Sequence, residues 1–166
     1  MVDLLVTYLE MTQRPDGEPF PQPVAGARIE REHLRPSDYL TLYRRVGEPL
    51  QWDQRLRMPA EALEVLLRDD GVHVYVLRVD GQAAGFCEFV AVGQPDVELT
   101  HFGLAPEFQG RKLGPYLLDH SLRAVWALAP KRIWLHTDTN DHPHAQEAYR
   151  RAGFRPFMQR MEHFED

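Results

Sequence analysis

The sequence predicts a single α/β domain over residues 1–166, built on a mixed six- or seven-stranded sheet flanked by helices. Three observations carry this. Three consecutive strand patterns occupy the middle of the chain, helical periodicities lie on both sides of them, and a strand–helix–strand–helix–strand alternation follows. A chain of 166 residues is the length of one domain. At that size about two-thirds of the unfolded surface is buried, so no metal or disulfide staple is required.

The first strand is expected over about 3–11. Asp16-Gly17 and Pro19-Phe20-Pro21-Gln22-Pro23 form a loop leading to another strand near Ala27–Glu32. Pro36-Ser37-Asp38 opens a helix through Arg45 that Gly47 ends, and Pro59 starts a second helix stopped by Asp69-Asp70-Gly71. Val72–Val79 is rich in β-branched and aromatic residues, Asp80-Gly81 is a two-residue hairpin turn, and Ala83–Val92 returns antiparallel. Pro95-Asp96 turns the chain into a third strand, Val97–Leu104. The next helix places Leu117, Leu118, Leu122, Val125 and Leu128 on one apolar face. Ile133–Thr137 is strand, Ala145–Arg151 helix, and Phe154–Met161 a closing strand. The order is β-α-α-β-β-β-α-β-α-β.

Composition excludes several classes. A net charge of −6 with a pI near 5.7 argues against a general binder of nucleic acid or anionic membrane. Val2–Leu9 is too short to span a bilayer and lacks the basic start of a signal peptide. Cys87 is the single cysteine, so a reducing compartment is the natural setting and a cytoplasmic location is expected. With no activating partner in sequence, Cys87 reads as an inert buried thiol. His136, His142 and His144 fit no familiar zinc spacing, so no metal is expected.

The informative segment runs from Glu98 to Leu118. A strand enters a tight loop containing Gly110 and Gly114, and the loop opens a helix. Such a start offers free backbone N–H groups and the positive end of the helix dipole to a phosphate. Pro115 needs no helical N–H bond, so the helix begins within the preceding four residues and the loop's N–H groups belong to residues 110–114, Leu113 included. Arg111 and Lys112 add positive charge where a diphosphate would lie. Spacing alone equally fits an ordinary strand–turn–helix connection with glycines for geometry. Neither the Walker loop nor the dinucleotide fingerprint is matched.

The segment resembles the acyl-CoA signature of the GNAT acetyltransferases, Gln/Arg-x-x-Gly-x-Gly/Ala. Gln109 and Gly114 match its first and last positions, Gly110 fills a spacer that is often glycine, and Lys112 departs by standing at the first signature glycine. Thr137–Phe154 is similar to a second family block, in which a helix carrying Ala and Tyr ends at Gly153-Phe154; His142 stands where many members have Asn. The resemblance spans about residues 70–160 and is loose before them. It implies the GNAT fold, acetyl-CoA as donor, and cofactor contacts from Phe102, Gly103, Leu104, Gln109–Gly114, His142 and Tyr149. The first three would act through backbone groups left free where a strand parts from its neighbour.

Acyl transfer to an amine requires deprotonation of the amine, polarisation of the thioester carbonyl and stabilisation of the departing thiolate. The resemblance implies Glu98 as base, with Glu88 a weaker alternative, and Tyr149 as the group serving the sulfur. Trp52, Asp53 and Tyr39 lie in the N-terminal helical region that commonly walls an acceptor site, but a packed or surface role is the favoured reading for each. No activated Cys or Ser is visible, so direct attack is expected. The implied acceptor is a small primary amine. A peptide or protein N-acetyltransferase and a non-catalytic acyl-CoA-binding module are the alternatives, and a homodimer stays open.

Overall fold

Asp80 and Gly81 both adopt positive φ, 51° and 83°, so the turn twists with its strands and closes a tight hairpin. The computed structural model describes residues 2–164. Around that hairpin the strands are β1 (Val2–Met11), β2 (Ala27–Arg31), β3 (His73–Val79), β4 (Gln82–Val90), β5 (Asp96–Leu104), β6 (Arg132–Asp138) and β7 (Arg155–Phe164). The helices are α1 (Pro36–Gly47), α2 (Ala60–Arg68), α3 (Leu113–Trp126) and α4 (Ala145–Ala152). They flank one seven-stranded mixed sheet of order β2-β3-β4-β5-β6-β1-β7, the fold class the sequence predicts.

Each face of the sheet carries its own core. Tyr39, Leu42, Tyr43 and Val46 form the buried stripe of α1 and join Leu63 of α2 against Val74, Val76 and Phe86 of β3 and β4. On the opposite face Leu117, Leu118, Leu122 and Val125 of α3 pack with Phe89, Val97, Leu99, Ile133 and Leu135. Cys87 is fully buried among them, and burial pushes its thiol up to about 12. That is an inert thiol.

Two features differ from the sequence expectation. Leu128 does not continue the apolar face of α3: the helix ends at Trp126, Ala129 turns to φ 59° before Pro130, and Leu128 is 53% exposed. β1 is antiparallel to β6 on one side and to β7 on the other, in register from Val6↔Asp138 to Met11↔Ile133 and from Val2↔Phe164 onward. β7 also extends beyond Met161 to Phe164. Among the described residues no helix is long and apolar enough to cross a membrane.

β5 and β6 matter most for the site. They are parallel and pair only over Asp96↔Arg132, Val97↔Ile133 and Glu98↔Trp134. Beyond Glu98 the strands part, and the side of β5 that faced β6 has no ladder partner there.

Candidate active site

A bulge sets which way β5 points its side chains. Phe89 pairs with Leu99 and Glu88 with His101, leaving Thr100 as the extra residue. The Thr100 hydroxyl donates to Glu88 Oε2 at 2.5 Å. Past the bulge, His101 and Gly103 face α1, whereas Phe102 and Leu104 face α3 and α4. Gly103 is required by close packing: a Cβ there would lie 2.6 Å from Val46 Cγ1.

The loop after β5 has the backbone of an anion cradle. Gly110 has φ 82°, Lys112 has φ 62° and caps α3, and Pro115 is the third helical residue. Lys112 therefore keeps the left-handed conformation that a glycine at its position would adopt freely. The first-turn N–H groups of α3 have no intrahelical acceptors, so they and the helix dipole favour an anion. Gln109 Nε2 reaches the carbonyl of Leu104 at 3.5 Å, tying loop to strand. A Cβ on Gly114 would stand 3.8 Å from both Phe102 Cζ and Leu104 Cδ1, so this glycine leaves open the space between strand and helix.

A cavity of about 710 Å³ runs from this loop along the stretch of β5 that lies beyond its pairing with β6. Gln109, Gly110, Lys112 and Gly114 line one end. Phe102, Gly103 and Leu104 line the middle, and His142 and Tyr149 the α4 side. Leu50, from the turn after α1, also reaches it, so both layers of helices contribute walls. Arg111 and Leu113 are not in the lining. Arg111 lies 6.0 Å from the Phe108 ring and Leu113 is fully buried in the core, which leaves Leu113 only its backbone N–H to offer.

Tyr149 is brought against β5. Its ring is 5.7 Å from that of Phe102. Burial raises the phenol well above its usual 10.0, with the Asp141 carboxylate adding to the shift. The hydroxyl thus stays protonated.

Glu98 sits on the opposite face of the sheet, outside the cavity lining, at the last paired position before the strands part. Its side chain is 21% exposed and lies 3.7 Å from His136 Nε2. Burial raises its carboxyl above the ordinary 4.5, with His136 opposing. A partly buried carboxylate with a raised pKa is a better base than an exposed one.

Glu88 is not an alternative base. It is fully buried, and its oxygens accept from Tyr39 Oη, from Arg55 Nη2 at 2.5 Å, from Thr100, and approach His101 Nδ1 at 3.0 Å. Burial pushes this carboxyl up, but His101 and Arg55 overcome it and hold it far below the ordinary range. Tyr39 is accordingly a buried donor, the packed role that the sequence favours for it. Trp52 packs on His101 and Tyr43 at 5.0 and 5.5 Å between centroids, and Asp53 makes a surface pair with Arg57. Tyr43 Oη lies 3.3 Å from His101 Nε2, completing the chain of contacts.

Among the lining residues that sequence reading did not assign to a site, besides Leu50, are Phe20 and Asp141. Phe20 reaches the cavity because its N–H donates to Asp119 at 2.8 Å and its carbonyl meets His120 Nε2 at 2.8 Å. Arg123 holds the same loop through the carbonyls of Asp16, Gly17 and Glu18. Asp141 accepts from Thr137 Oγ1, and burial raises its carboxyl above 3.8. The signal for Phe20 was the proline-flanked aromatic; Asp141 read as an ordinary turn residue. Among the described residues no group of three or more metal-ligating side chains is gathered.

The family model described as acetyltransferase (GNAT) family matches residues 28–154. The chain belongs to this family. No curated protein matches it by sequence. Solved structures show the same fold. A GNAT-family acetyltransferase from Novosphingobium aromaticivorans is 20% identical with a TM-score of 0.65, covering 97% of this chain and 63% of its own. A tandem GNAT protein from the clavulanic acid biosynthesis pathway is 18% identical with a TM-score of 0.70, covering 94% of this chain and 51% of its own. An aminoglycoside acetyltransferase from an uncultured soil metagenomic sample, 16% identical with a TM-score of 0.66, is covered over 95% of its length by 85% of this chain. The chain spans 49–63% of the length of the first four solved structures it matches.

Proposed function

We propose that this GNAT acetyltransferase domain moves the acetyl group of acetyl-CoA to the primary amine of a small molecule by direct attack. The observation that carries the reading is the gap between β5 and β6, opened after Glu98↔Trp134 and ending at a helix start with glycine-like backbone. Membership of an acetyltransferase family supports acyl transfer in general; the donor and the amine are our inference. The residues fit the donor. The N-terminus of α3, Gly110 and Lys112 would hold its diphosphate, and the freed β5 groups near Phe102–Leu104 would hold the pantetheine amides.

In this reading the amine enters from the Glu98 face and the donor from the Tyr149 face, meeting through the gap. Glu98 accepts the proton that the ammonium must lose, since such groups have pKa values near 10.4. The amine nitrogen bonds to the carbonyl carbon, the carbon–sulfur bond breaks, and the sulfur departs with the electron pair. Tyr149 donates a hydrogen bond to that sulfur. A thiol pKa near 8.5 lies below that of the phenol, so a full proton transfer from Tyr149 would run uphill. The nitrogen then loses its second surplus proton, which passes through solvent to the thiolate, and Glu98 returns the first proton to solvent, so that neutral amide and free thiol leave.

The test is binding first. Acetyl-CoA at millimolar concentration should raise the melting temperature, and Gly114→Val should abolish the shift by filling the space between Phe102 and Leu104. A wild-type protein unmoved by acetyl-CoA would overturn the proposal.

A further inference from the structure

The α1–α2 layer covers only part of its side of the sheet. The core beneath it draws on β3 and β4 and includes no residue of β6, β1 or β7. On that same face, continuing outward from Glu98 and His136, stands a run of rings. Tyr8 and Trp134 are nearly parallel, 18° apart with centroids at 6.4 Å, and His136 and Phe157 lie 5.7 and 6.2 Å from Tyr8. Phe157 is 45% exposed and the His136 side chain 48%. Arg132 reaches over Trp134 and Phe157, and Arg160 over Tyr8.

The charges along this run favour a cation. Arg132 is paired with Glu10 at 2.6 Å and Asp96 at 3.0 Å, and Arg160 with Glu162 at 2.6 Å. Those two arginines face four carboxylates, Glu98 being the one with no arginine. Glu98 is also the nearest of the four to the point where the strands part. An amine arriving at Glu98 therefore lies beside an aromatic surface that Arg132 and Arg160 cover in part, and whatever is attached to that amine falls beside the rings.

We infer that this surface selects the acceptor: a primary amine carried on a short chain from an aromatic ring, with the ammonium at Glu98 and the ring against Trp134, Tyr8 and Phe157. The inference rests on the proposed amine acetylation for the placement of Glu98. A hydroxyl-bearing aliphatic amine gains nothing from the rings, so selectivity for aromatic over small polar amines follows.

Phenethylamine and ethanolamine separate the cases. In the 1H–15N spectrum, phenethylamine should shift the Trp134 indole resonance, identified through Trp134→Phe, and ethanolamine should not. With acetyl-CoA, Phe157→Ala should raise KM for phenethylamine by about 3–10-fold, the range one lost ring contact gives. Its KM for ethanolamine and its affinity for acetyl-CoA should hold. Phe157 is exposed on the outer strand, so its removal leaves the core intact. An unmoved Trp134 resonance, or equal KM changes for both amines, overturns the inference. So does a monomer shift on sedimentation of Phe157→Ala, which would give the surface to a second protein chain. A shifted resonance without turnover of either amine upholds the surface and refutes the acetyl transfer instead.

Discussion

Glu98 and Trp134 are the last paired residues of β5 and β6, one carrying a carboxylate and the other a ring on the same face of the sheet. The parting of the strands thus begins at the residue proposed to receive the proton. Glu98→Gln should lower kcat by about 10²–10³-fold at neutral pH. Activity should recover partly at alkaline pH, where more of the amine is already neutral. A rate–pH profile of the two enzymes checks this.

The same substitution has an opposite effect on stability. The folded-state pKa of Glu98 is raised, so the folded state prefers the proton and ionisation weakens it as pH rises through that value. Glu98→Gln should leave neutral-pH stability unchanged or higher, as urea denaturation will report. A lost base combined with a retained fold distinguishes chemistry from damage.

Tyr149→Phe should lower kcat with little change in acetyl-CoA affinity if, as proposed, its hydrogen bond to the sulfur strengthens as the sulfur departs. No alkaline recovery is expected, since the phenol stays protonated across the accessible range. Pre-steady-state acetyl transfer and calorimetric binding measure the two quantities separately.

Glu88→Gln should destabilise the protein by about 3–5 kcal/mol at neutral pH, because it leaves Arg55 buried without its anion. The depressed carboxyl contributes stability that is fully present above its ordinary 4.5 and is lost as pH falls toward the folded value. Denaturation midpoints of wild type and variant should therefore converge as the pH is lowered below 4.5.

Lys112→Gly should stabilise by about 0.5–1 kcal/mol by relieving the left-handed backbone. It should also weaken acetyl-CoA binding at low ionic strength more than at high, since the lost contribution is a screened charge. Affinity measured at two salt concentrations checks this.

What was legible in the sequence follows the range of each interaction. Gly110 and Pro115 report their own backbone demands, so the start of α3 could be read locally. The Asp80-Gly81 hairpin was legible for the same reason. The bulge at Thr100 was not: Val97, Leu99 and His101 look like simple alternation, and only pairing with Glu88 reveals the extra residue. Arg55 stands in a polar loop, and its burial depends on Glu88, thirty-three positions away. Phe20 depends likewise on Asp119 and His120.

β1 finds its ladder partners only in β6 and β7, with Val6 opposite Asp138 and Arg160. During synthesis, then, the earliest strand of this domain waits for nearly all the rest to be made. Its own Leu4, Leu5 and Leu9 stay without a sheet to join until residues beyond 132 leave the ribosome. The meander and α3 can gather first, since their contacts are short in sequence. Closure of β1 between two late strands is a long-range, slow step. A chain stalled before that step exposes an apolar strand on one side and an unfilled slot on the other, a pair of complementary surfaces that invites exchange between nascent copies.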